Sequence, residues 1–412
     1  MRILFLSDHF FPEPSAPAAH VYERARLWVS QGHQVTVLCS APNFPEGKLF
    51  PGYRNSLRTV EMLDGIRVVR VLTYICANEG TIGRTLDYVS YALASFLMAW
   101  REDRPHVVIS TSPHLFVPLA GVLHASLRRV PHVFEIRDLW PASIAATEAL
   151  AGGSFSLRML EKLELFLYRR SARILALTPA FKTDLVRRGI AAEKIDVVIN
   201  GANLDLFRPG MPRDREIQAQ FGLGDRFVVG YLGTLGLAHG LENVIDAAEL
   251  LRGTEVTFLF VGVGAAKADL ESLVRRRGLD NVVFAPRQEK TAMPRFWSVC
   301  DASLVHLRAA ALFGTVIPSK IFEAMAVGVA TIYAAPRGEG SRIVEQHGAG
   351  VAIPPMDAAA LASACLSLAR DPQLRQRLAS AAALAAPLYS RTRQAEDSLA
   401  VLQRACNAQL RS

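Results

Sequence analysis

Short apolar runs alternate with longer stretches of helical periodicity along the chain. The first run, 3–6, is followed by a Pro-rich loop at 11–17, a helical segment at 18–31 and a β-branched run at 34–39. A helix between two strands forms a βαβ unit, and strands that are apolar throughout are typical of a parallel sheet covered by helices on both faces. The beginning of the chain is therefore predicted to be α/β.

The same alternation occurs twice, on either side of a polar segment. Five further apolar runs precede that segment, at 66–71, 106–109, 132–136, 174–177 and 197–199. Residues 206–227 are rich in Pro, Gly and charge, which indicates a linker. Six runs follow it, at 227–232, 256–261, 282–284, 302–306, 330–334 and 351–353. We expect two doubly wound, Rossmann-like domains facing each other across a cleft, at 1–207 and 227–388. A linker at 208–226 would join them, and a C-terminal helix at 389–412 would pack back on the first domain.

Composition excludes several classes of protein. Half of the 412 residues are hydrophobic and a fifth are charged, so the chain can bury large cores. Its net charge of +8 suits an anionic partner, but the basic residues are scattered and no nucleic-acid partner is predicted. The five cysteines are widely spaced, which favours neither a disulfide scaffold nor a zinc site. No export signal is expected, and the longest apolar stretch, 89–100, is too short for a membrane span.

Two segments of the second domain could bind a phosphorylated ligand. Gly233 and Gly236 follow a strand, where glycines let the backbone approach a phosphate, although any strand-to-helix turn also needs glycine. In the segment 313–328, Lys320 and Glu323 lie about one helical turn apart. An ammonium can neutralise a phosphate and a carboxylate can accept two ribose hydroxyls. A solvated ion pair is the alternative interpretation.

The chain resembles the GT-B glycosyltransferases of family 4, and within them the bacterial cell-surface polysaccharide enzymes that transfer amino sugars, similar to L-fucosamine transferases. The resemblance spans nearly the whole chain and depends on six motifs in order. They are Arg2-Ile3-Leu4-Phe5-Leu6-Ser7-Asp8 with the loop to His20, Glu135-Ile136-Arg137-Asp138-Leu139-Trp140-Pro141, Asn200-Gly201-Ala202-Asn203-Leu204-Asp205-Leu206-Phe207, the Gly233 turn, Pro318-Ser319-Lys320-Ile321-Phe322-Glu323-Ala324-Met325, and Gly338-Glu339-Gly340 before Ile343-Val344-Glu345.

The resemblance implies a UDP-sugar donor bound mainly by the second domain. Glu323 would bind the ribose, and Arg287 with Gln288 would meet the uracil. The residues implied at the diphosphate and donor sugar are Gly233, Thr234, Leu235, Gly236, Gly314, Val316, Ser319 and Lys320.

The chain departs from the family pattern at two places. The family commonly has Glu-x7-Glu, whereas Thr315 stands eight residues before Glu323, and we assign Thr315 to the catalytic set. The family also often places Arg and Lys at the glycine turn, where this chain has Leu235 and His239. The leaving diphosphate would then depend on N–H groups, Lys320 and His239.

The resemblance also implies a polyprenyl diphosphate-linked saccharide as acceptor, bound by the first domain. Arg137 and Asp138 follow the strand 132–136, at the end where ligands bind in such sheets. Asp138 is the candidate for positioning or deprotonating the acceptor hydroxyl, and Arg137 for pairing with it or contacting phosphate. Capping and packing are the alternative interpretations. The other candidates for contact with the acceptor are Ser15, Ala16, His20 and Trp140.

No cofactor or metal is expected. The chain contains no Asp-x-Asp, the pattern that holds a metal-bound diphosphate in some glycosyltransferases. The resemblance implies retention of anomeric configuration, in which the departing phosphate helps to take the acceptor proton and no protein nucleophile is needed.

An attachment to membranes is also expected. The stretch 86–100 is apolar over much of its circumference and is flanked by Arg84 and Arg101, a pattern shared by buried helices and by helices that dip into a lipid surface. Leucines alternate with basic residues at 157–173. Because lipid-linked acceptors lie in the inner leaflet, we expect peripheral attachment to the cytoplasmic face of the inner membrane.

Three rival functions remain open from the residues. A hydrolase on this fold would need two facing carboxylates, and Asp138 with Glu323 is the obvious pair. A sugar-nucleotide 2-epimerase shares the two-domain plan. An inactive nucleotide-sugar-binding subunit is suggested by Thr315 and by the missing basic residues of the glycine turn.

Overall fold

The computed structural model of the protein describes residues 1–76, 81–112, 114–139 and 155–409. The chain divides into two compact units. The first unit comprises Met1–Ile199 with Gln394–Ser412, and the second comprises Asn200–Arg393.

The first unit contains an eight-stranded sheet in the order β3-β4-β2-β1-β5-β6-β7-β8. Neighbouring strands are parallel except β3, which runs antiparallel to β4 at the edge. The strands are β1 (Arg2–Leu6), β2 (Gln34–Ser40), β3 (Arg58–Leu63), β4 (Ile66–Val71), β5 (Val107–Thr111), β6 (His132–Ile136), β7 (Arg173–Ala176) and β8 (Ile195–Val197).

Helices of the first unit include α1 (Ala16–Ser30), α2 (Thr81–Ala99), α3 (Phe116–Arg128), α4 (Phe155–Arg170) and α5 (Pro179–Arg187). The last helix, α14 (Arg391–Gln409), begins in the second unit and continues in the first. Its packing within the first unit is fixed by the buried Trp28, whose indole Nε1 donates to the carbonyl oxygen of Ala395 at 2.8 Å.

The second unit contains a six-stranded sheet, parallel throughout, in the order β11-β10-β9-β12-β13-β14. This order reverses between β9 and β12, and such a switch point is where open α/β sheets bind ligands. The strands are β9 (Phe227–Leu232), β10 (Val256–Val261), β11 (Val282–Ala285), β12 (Ala302–His306), β13 (Ala330–Ala334) and β14 (Gly350–Ile353).

Eight helices are assigned among the described residues of the second unit, apart from the start of α14. They are α6 (Arg215–Gln220), α7 (Glu242–Leu250), α8 (Lys267–Arg277), α9 (Met293–Ser298), α10 (Lys320–Val327), α11 (Glu339–Gln346), α12 (Ala358–Arg370) and α13 (Pro372–Ala385).

The predicted fold class is confirmed: each unit is a parallel or mainly parallel sheet with helices. Strands β9, β10, β12 and β13 coincide with predicted apolar runs because both of their faces are buried. The edge strand β3 was not predicted, since none of its residues is fully buried and its pattern is correspondingly weak. The segment 208–226 contains α6, whose first turn is capped by Asp214.

Candidate functional site

The glycine turn after β9 lies at the carboxyl end of the second sheet. Gly233 has a φ of +143°, a conformation that favours glycine. The N–H groups of Gly233 and Leu235 donate to the carbonyl oxygens of Val261 and Val263, both at 2.9 Å. Those two N–H groups therefore hold the turn against the end of β10. The N–H groups of Thr234 and Gly236 remain as the donors that this turn can offer to a ligand.

Lys320 brings a buried ammonium to the glycine turn. A Cβ built on Gly233 would lie 3.4 Å from the Nζ of Lys320, and Nζ also lies 3.4 Å from the ring centroid of Tyr231. Among the described residues, Nζ has no hydrogen-bond partner. Burial lowers the pKa of Lys320 to about 7, against the opposing effect of Glu323. A buried ammonium that lacks an acceptor is suited to an anionic ligand, which would restore its proton.

Glu323 lies on the same helix, one turn beyond Lys320. Its Oε2 accepts a hydrogen bond of 3.4 Å from the indole Nε1 of Trp297. Burial raises the pKa of Glu323, although Lys290 and the bond from Trp297 counteract it. The carboxyl group thus has one indole donor and keeps lone pairs for further hydroxyl donors. Lys320 and Glu323 are not joined by an ion pair in the structure, contrary to the simple solvated-pair interpretation.

His239 does not supply positive charge to this turn. Burial, together with the neighbouring Lys320, lowers the pKa of His239 to about 4. The imidazole is therefore neutral near pH 7, so Lys320 is the cationic side chain that the structure places beside Gly233.

The predicted uracil contacts lie on the loop that follows β11. Arg287 is exposed, and the side-chain amide of Gln288 donates to the carbonyl oxygen of Pro286 at 3.1 Å. This loop is at the same edge of the sheet as the glycine turn, because it follows β11 and the turn follows β9, and both strands pair in parallel with β10.

The segment from Gly314 to Ser319 leads into α10. A Cβ on Gly338 would lie 1.9 Å from the carbonyl oxygen of Gly314, so the two loops touch through their backbones. The hydroxyl group of Thr315 donates to the carbonyl oxygen of Leu312 at 2.7 Å, so it could act toward a sugar hydroxyl only as an acceptor. Val316 is partly exposed, and Ser319 occupies the N-cap position of α10 without a side-chain capping bond.

In the first unit, Arg137 and Asp138 follow β6. The guanidinium of Arg137 donates from Nη2 to the Nδ1 of the buried His20 at 2.6 Å, and its Nη1 has no hydrogen-bond partner among the described residues. Asp138 keeps access to solvent, although the protein atoms around it raise the pKa of its carboxyl by desolvation. The structure thus brings Arg137 together with His20, whereas it shows no direct hydrogen bond from Arg137 to Asp138.

The remaining predicted acceptor residues have different surroundings. The hydroxyl oxygen of Ser15 accepts a hydrogen bond from the N–H of Ala18 and caps α1, a structural role. Ala16 is exposed on the first turn of the same helix. Trp140 lies outside the described residues.

Sequence reasoning missed a second group of buried polar side chains at the carboxyl end of the first sheet. Asp8 and His9 follow β1, Glu13 lies in the next loop, and His114 follows β5. The Nε2 of His114 lies 3.5 Å from the Oδ2 of Asp8, and the Nδ1 of His9 lies 2.7 Å from the Oε2 of Glu13. The available signal was the position of Asp8 and His114 just after two apolar runs that the fold makes neighbours.

Within the described ranges, no group of three or more His, Cys, Asp or Glu side chains is arranged to hold a metal ion.

Two protein-family models match the chain in succession. The family described as "Glycosyl transferase 4-like domain" matches residues 15–201, and "Glycosyl transferases group 1" matches residues 213–384. The first match lies mainly in the first unit and the second lies in the second unit.

Individual relatives agree with these matches. The putative colanic acid biosynthesis glycosyl transferase WcaI of Escherichia coli is 29% identical over 80% of this chain and 82% of its own length. The probable glycosyltransferase WbjE of Pseudomonas aeruginosa is 26% identical over 66% of this chain and 68% of its own.

A solved structure shows the same fold. The Anabaena protein HepE, in complex with UDP and glucose, is 20% identical, superposes with a TM-score of 0.72, and covers 97% of this chain and 98% of its own. Two Rossmann-like units of the GT-B type, with these domain families in this order, identify the chain as a glycosyltransferase with a family 4-like first domain and a group 1 second domain.

Proposed function

We propose that the protein transfers a hexose or N-acetylamino sugar, L-FucNAc being one candidate, from a UDP-sugar to a lipid-linked saccharide in cell-surface polysaccharide biosynthesis. The observation that carries the proposal is the unpartnered ammonium of Lys320 beside Gly233, with the carboxyl of Glu323 one turn away. HepE was crystallised with UDP and with UDP-glucose, and the name of WcaI refers to colanic acid, which supports a UDP-sugar donor and a polysaccharide product.

The donor half of the proposal assigns a role to each group of the second unit. Lys320 with the N–H groups of Thr234 and Gly236 would bind the diphosphate, where charge accumulates as the glycosidic bond to phosphate breaks. Glu323 would accept hydrogen bonds from the ribose hydroxyls. Arg287 and Gln288 would contact the uracil from the loop after β11.

The acceptor half of the proposal involves the first unit. Asp138 would position the acceptor hydroxyl, and Arg137, held by His20, would use its unpartnered Nη1 on an acceptor phosphate. Thr315, in the second unit, would accept a hydrogen bond from the transferred sugar. Retention, metal independence and proton transfer to the departing phosphate belong to this proposal, and they require no protein nucleophile.

The proposal includes peripheral attachment to the cytoplasmic face of the inner membrane. None of the helices in the described part of the chain has the length and apolar character to cross a bilayer. Helices α2 and α3, however, expose a row of large apolar side chains, of which Leu93 is 60% and Leu127 is 62% exposed. The others are Ile82, Leu86, Leu97, Trp100 and Leu123.

Charge next to these side chains suits an anionic lipid surface. Arg101, Arg104 and Arg129 are exposed near the ends of α2 and α3, with Asp103 as a neighbouring acidic residue. The guanidinium of Arg128 lies 4.5 Å from the Trp100 ring centroid, which joins the two helix ends. Apolar area and nearby arginines both contribute to interfacial binding.

Sedimentation with vesicles tests the attachment. We expect the protein to bind phosphatidylglycerol-containing vesicles, with weaker binding after Leu93→Ser with Leu97→Ser and at high salt. Leu384→Ser is the matched control, because Leu384 is 82% exposed in the second unit. Equal binding by all three proteins would exclude this surface as the attachment site.

A thermal-shift screen of UDP-, GDP- and dTDP-sugars tests the donor, because a ligand that binds only the folded protein raises its Tm. We expect a UDP-selective shift that Glu323→Ala abolishes, followed by transfer to lipid-linked saccharides in a membrane extract. No shift with any nucleotide would overturn the proposal. Full-rate hydrolysis without acceptor, epimerisation of UDP-GlcNAc alone, or binding without transfer to any acceptor would replace it with a hydrolase, a 2-epimerase or an inactive subunit.

A further inference from the structure

The carboxyl ends of β1 and β5 carry buried groups that the proposed roles of Arg137 and Asp138 do not use. Asp8 and His114 are 6% and 3% exposed. Within the described residues, the Oδ2 of Asp8 and the Nε2 of His114 lie 3.5 Å apart with no closer partner, and the Nδ1 of His114 has no hydrogen bond. Buried polar atoms that lack full partners are destabilising, so the unpartnered Nδ1 and the weakly paired carboxylate together point to a ligand that completes the site.

The backbone holds Asp8 firmly although its carboxylate is unsatisfied. The carbonyl oxygen of Asp8 accepts hydrogen bonds from the N–H of Ser40 at 3.0 Å and from its hydroxyl group at 2.8 Å. His114 is held by its ring, which stacks on Tyr88 with a centroid distance of 3.9 Å. Both side chains are therefore fixed by contacts that leave their polar atoms available, as a preorganised binding site requires.

The charge of this pocket excludes an anionic ligand. Burial opposes ionisation of Asp8, but its interactions with His114 and His9 lower its pKa overall, so it is an anion at neutral pH. Burial lowers the pKa of His114 and keeps its imidazole neutral. His9 is cationic, since Glu13 and Asp8 overcome burial and raise its pKa to about 9, but Glu13 neutralises it.

Asp87, on α2, is close enough to Asp8 for the two carboxyl groups to interact. Burial and the charge of Asp8 raise the pKa of Asp87 to about 7, so its carboxyl is partly ionised. The other titratable groups near these side chains are Arg84, Tyr91 and Cys39. The pocket thus offers mainly hydrogen-bond acceptors.

We propose that Asp8 and His114 bind the hydroxyl groups of a neutral saccharide unit. An ionised carboxylate accepts two hydroxyl hydrogens, and a neutral imidazole with Nε2–H directed at Asp8 presents Nδ1 as a further acceptor. The identification of this saccharide as the sugar part of the acceptor rests on the proposed function. The lipid-linked phosphate would then be bound elsewhere, since the pocket repels anions.

Saturation-transfer NMR on the full chain tests the site with methyl glycosides of glucose, galactose, mannose, fucose and N-acetylglucosamine as probes at millimolar concentration. We expect transfer to at least one glycoside, and a decrease of about fivefold or more in Asp8→Asn and in His114→Phe. The phenyl ring keeps the stacking on Tyr88 and removes both nitrogens, so the second variant is expected to fold.

His124→Phe is the matched control. His124 is likewise buried, has two unpartnered ring nitrogens and lies beside Trp100 on α3. It should leave glycoside binding unchanged. Three results would overturn the proposal: no transfer to any glycoside, equal transfer to all variants, or pyrophosphate binding that depends on Asp8 and His114. The UDP thermal shift of each variant separates this failure from failure of the proposed function, because the donor residues lie in the other unit.

Discussion

The carboxyl ends of the two sheets present buried charges of opposite sign. The second unit places the unpartnered ammonium of Lys320 beside a glycine turn, whereas the first places the unpartnered carboxylate of Asp8 beside a neutral imidazole. The glycine turn follows β9 and Asp8 follows β1, and each of these is a central strand of its sheet. On the proposed roles, the fold fixes where a ligand binds, and a few loop residues would determine whether that ligand is a diphosphate or a polyol.

The buried carboxylate of Glu135 differs from these two groups because it has a charged partner. Arg24 and Glu135 form a bidentate pair in the first unit, with both oxygen–nitrogen distances at 2.7 Å. Burial alone would raise the pKa of Glu135, but Arg24 holds it below its ordinary value. The carboxylate of Glu135 is neutralised through both oxygens without a ligand, although the Nε of Arg24 has no hydrogen-bond partner among the described residues. The role of this pair is therefore structural, in contrast to Lys320 and Asp8.

The largest expected effect comes from breaking the Arg24–Glu135 pair. Arg24→Met leaves the buried carboxylate of Glu135 uncompensated and should lower the free energy of unfolding by about 3–5 kcal/mol. Arg187→Met, which removes an exposed pair with Asp184, should cost at most about 1 kcal/mol. Urea unfolding followed by circular dichroism measures both. Similar costs would show that burial adds nothing to the contribution of the Arg24–Glu135 pair.

Removal of the carboxylate that we propose to bind the ribose should have the next largest effect. Glu323→Ala removes two charge-assisted hydrogen bonds and should weaken UDP binding by about 3 kcal/mol, roughly 100-fold. Calorimetric titration measures the Kd. Glu345→Ala, on the exposed side of α11, is the control and should leave the Kd unchanged. An unaltered Kd in Glu323→Ala would remove the ribose from this site.

Removal of the ammonium should discriminate between ligands. Lys320→Met should weaken UDP binding by about 2 kcal/mol, roughly 30-fold, because it removes one charge-assisted contact to the diphosphate. Uridine lacks the phosphates, so its Kd should be the same for both proteins. Equal losses for UDP and uridine would instead indicate a disrupted fold.

The smallest expected effect concerns pH. The pKa of Lys320 is about 7 in the unliganded protein, and a bound diphosphate would raise it. Binding therefore takes up a proton, and affinity is greatest below pH 7 and falls as pH rises above it. For UDP-glucose, whose diphosphate stays ionised, Kd should rise about fivefold between pH 7 and 8.

The two histidines and the tyrosine near Lys320 do not titrate in this interval. Burial lowers the pKa of His239 to about 4 and also lowers that of His306, while burial raises the pKa of Tyr231. In Lys320→Met the pH dependence should disappear. A Kd that rises equally in both proteins would assign the effect to another group.

The sequence by itself determined the fold class and the position of α10, the helix that carries Lys320 and Glu323. Apolar runs such as 227–232 and 256–261 are visible in the sequence because strands buried on both faces carry a continuous local signal. The proximity of Lys320 and Glu323 could be predicted from their spacing, because a helix brings residues one turn apart to the same side. The edge strand β3 has no such signal, since it is only half covered.

Only the tertiary structure decided the partners of these residues. Lys320 meets Tyr231 and Gly233 from 89 and 87 positions further along the chain, and His114 meets Asp8 across 106 positions. The tertiary structure also showed that Ser15 caps a helix and that burial lowers the pKa of His239. The physical reason is that hydrophobic periodicity is a local property, whereas burial, hydrogen bonding and pKa depend on neighbours that strand order brings together.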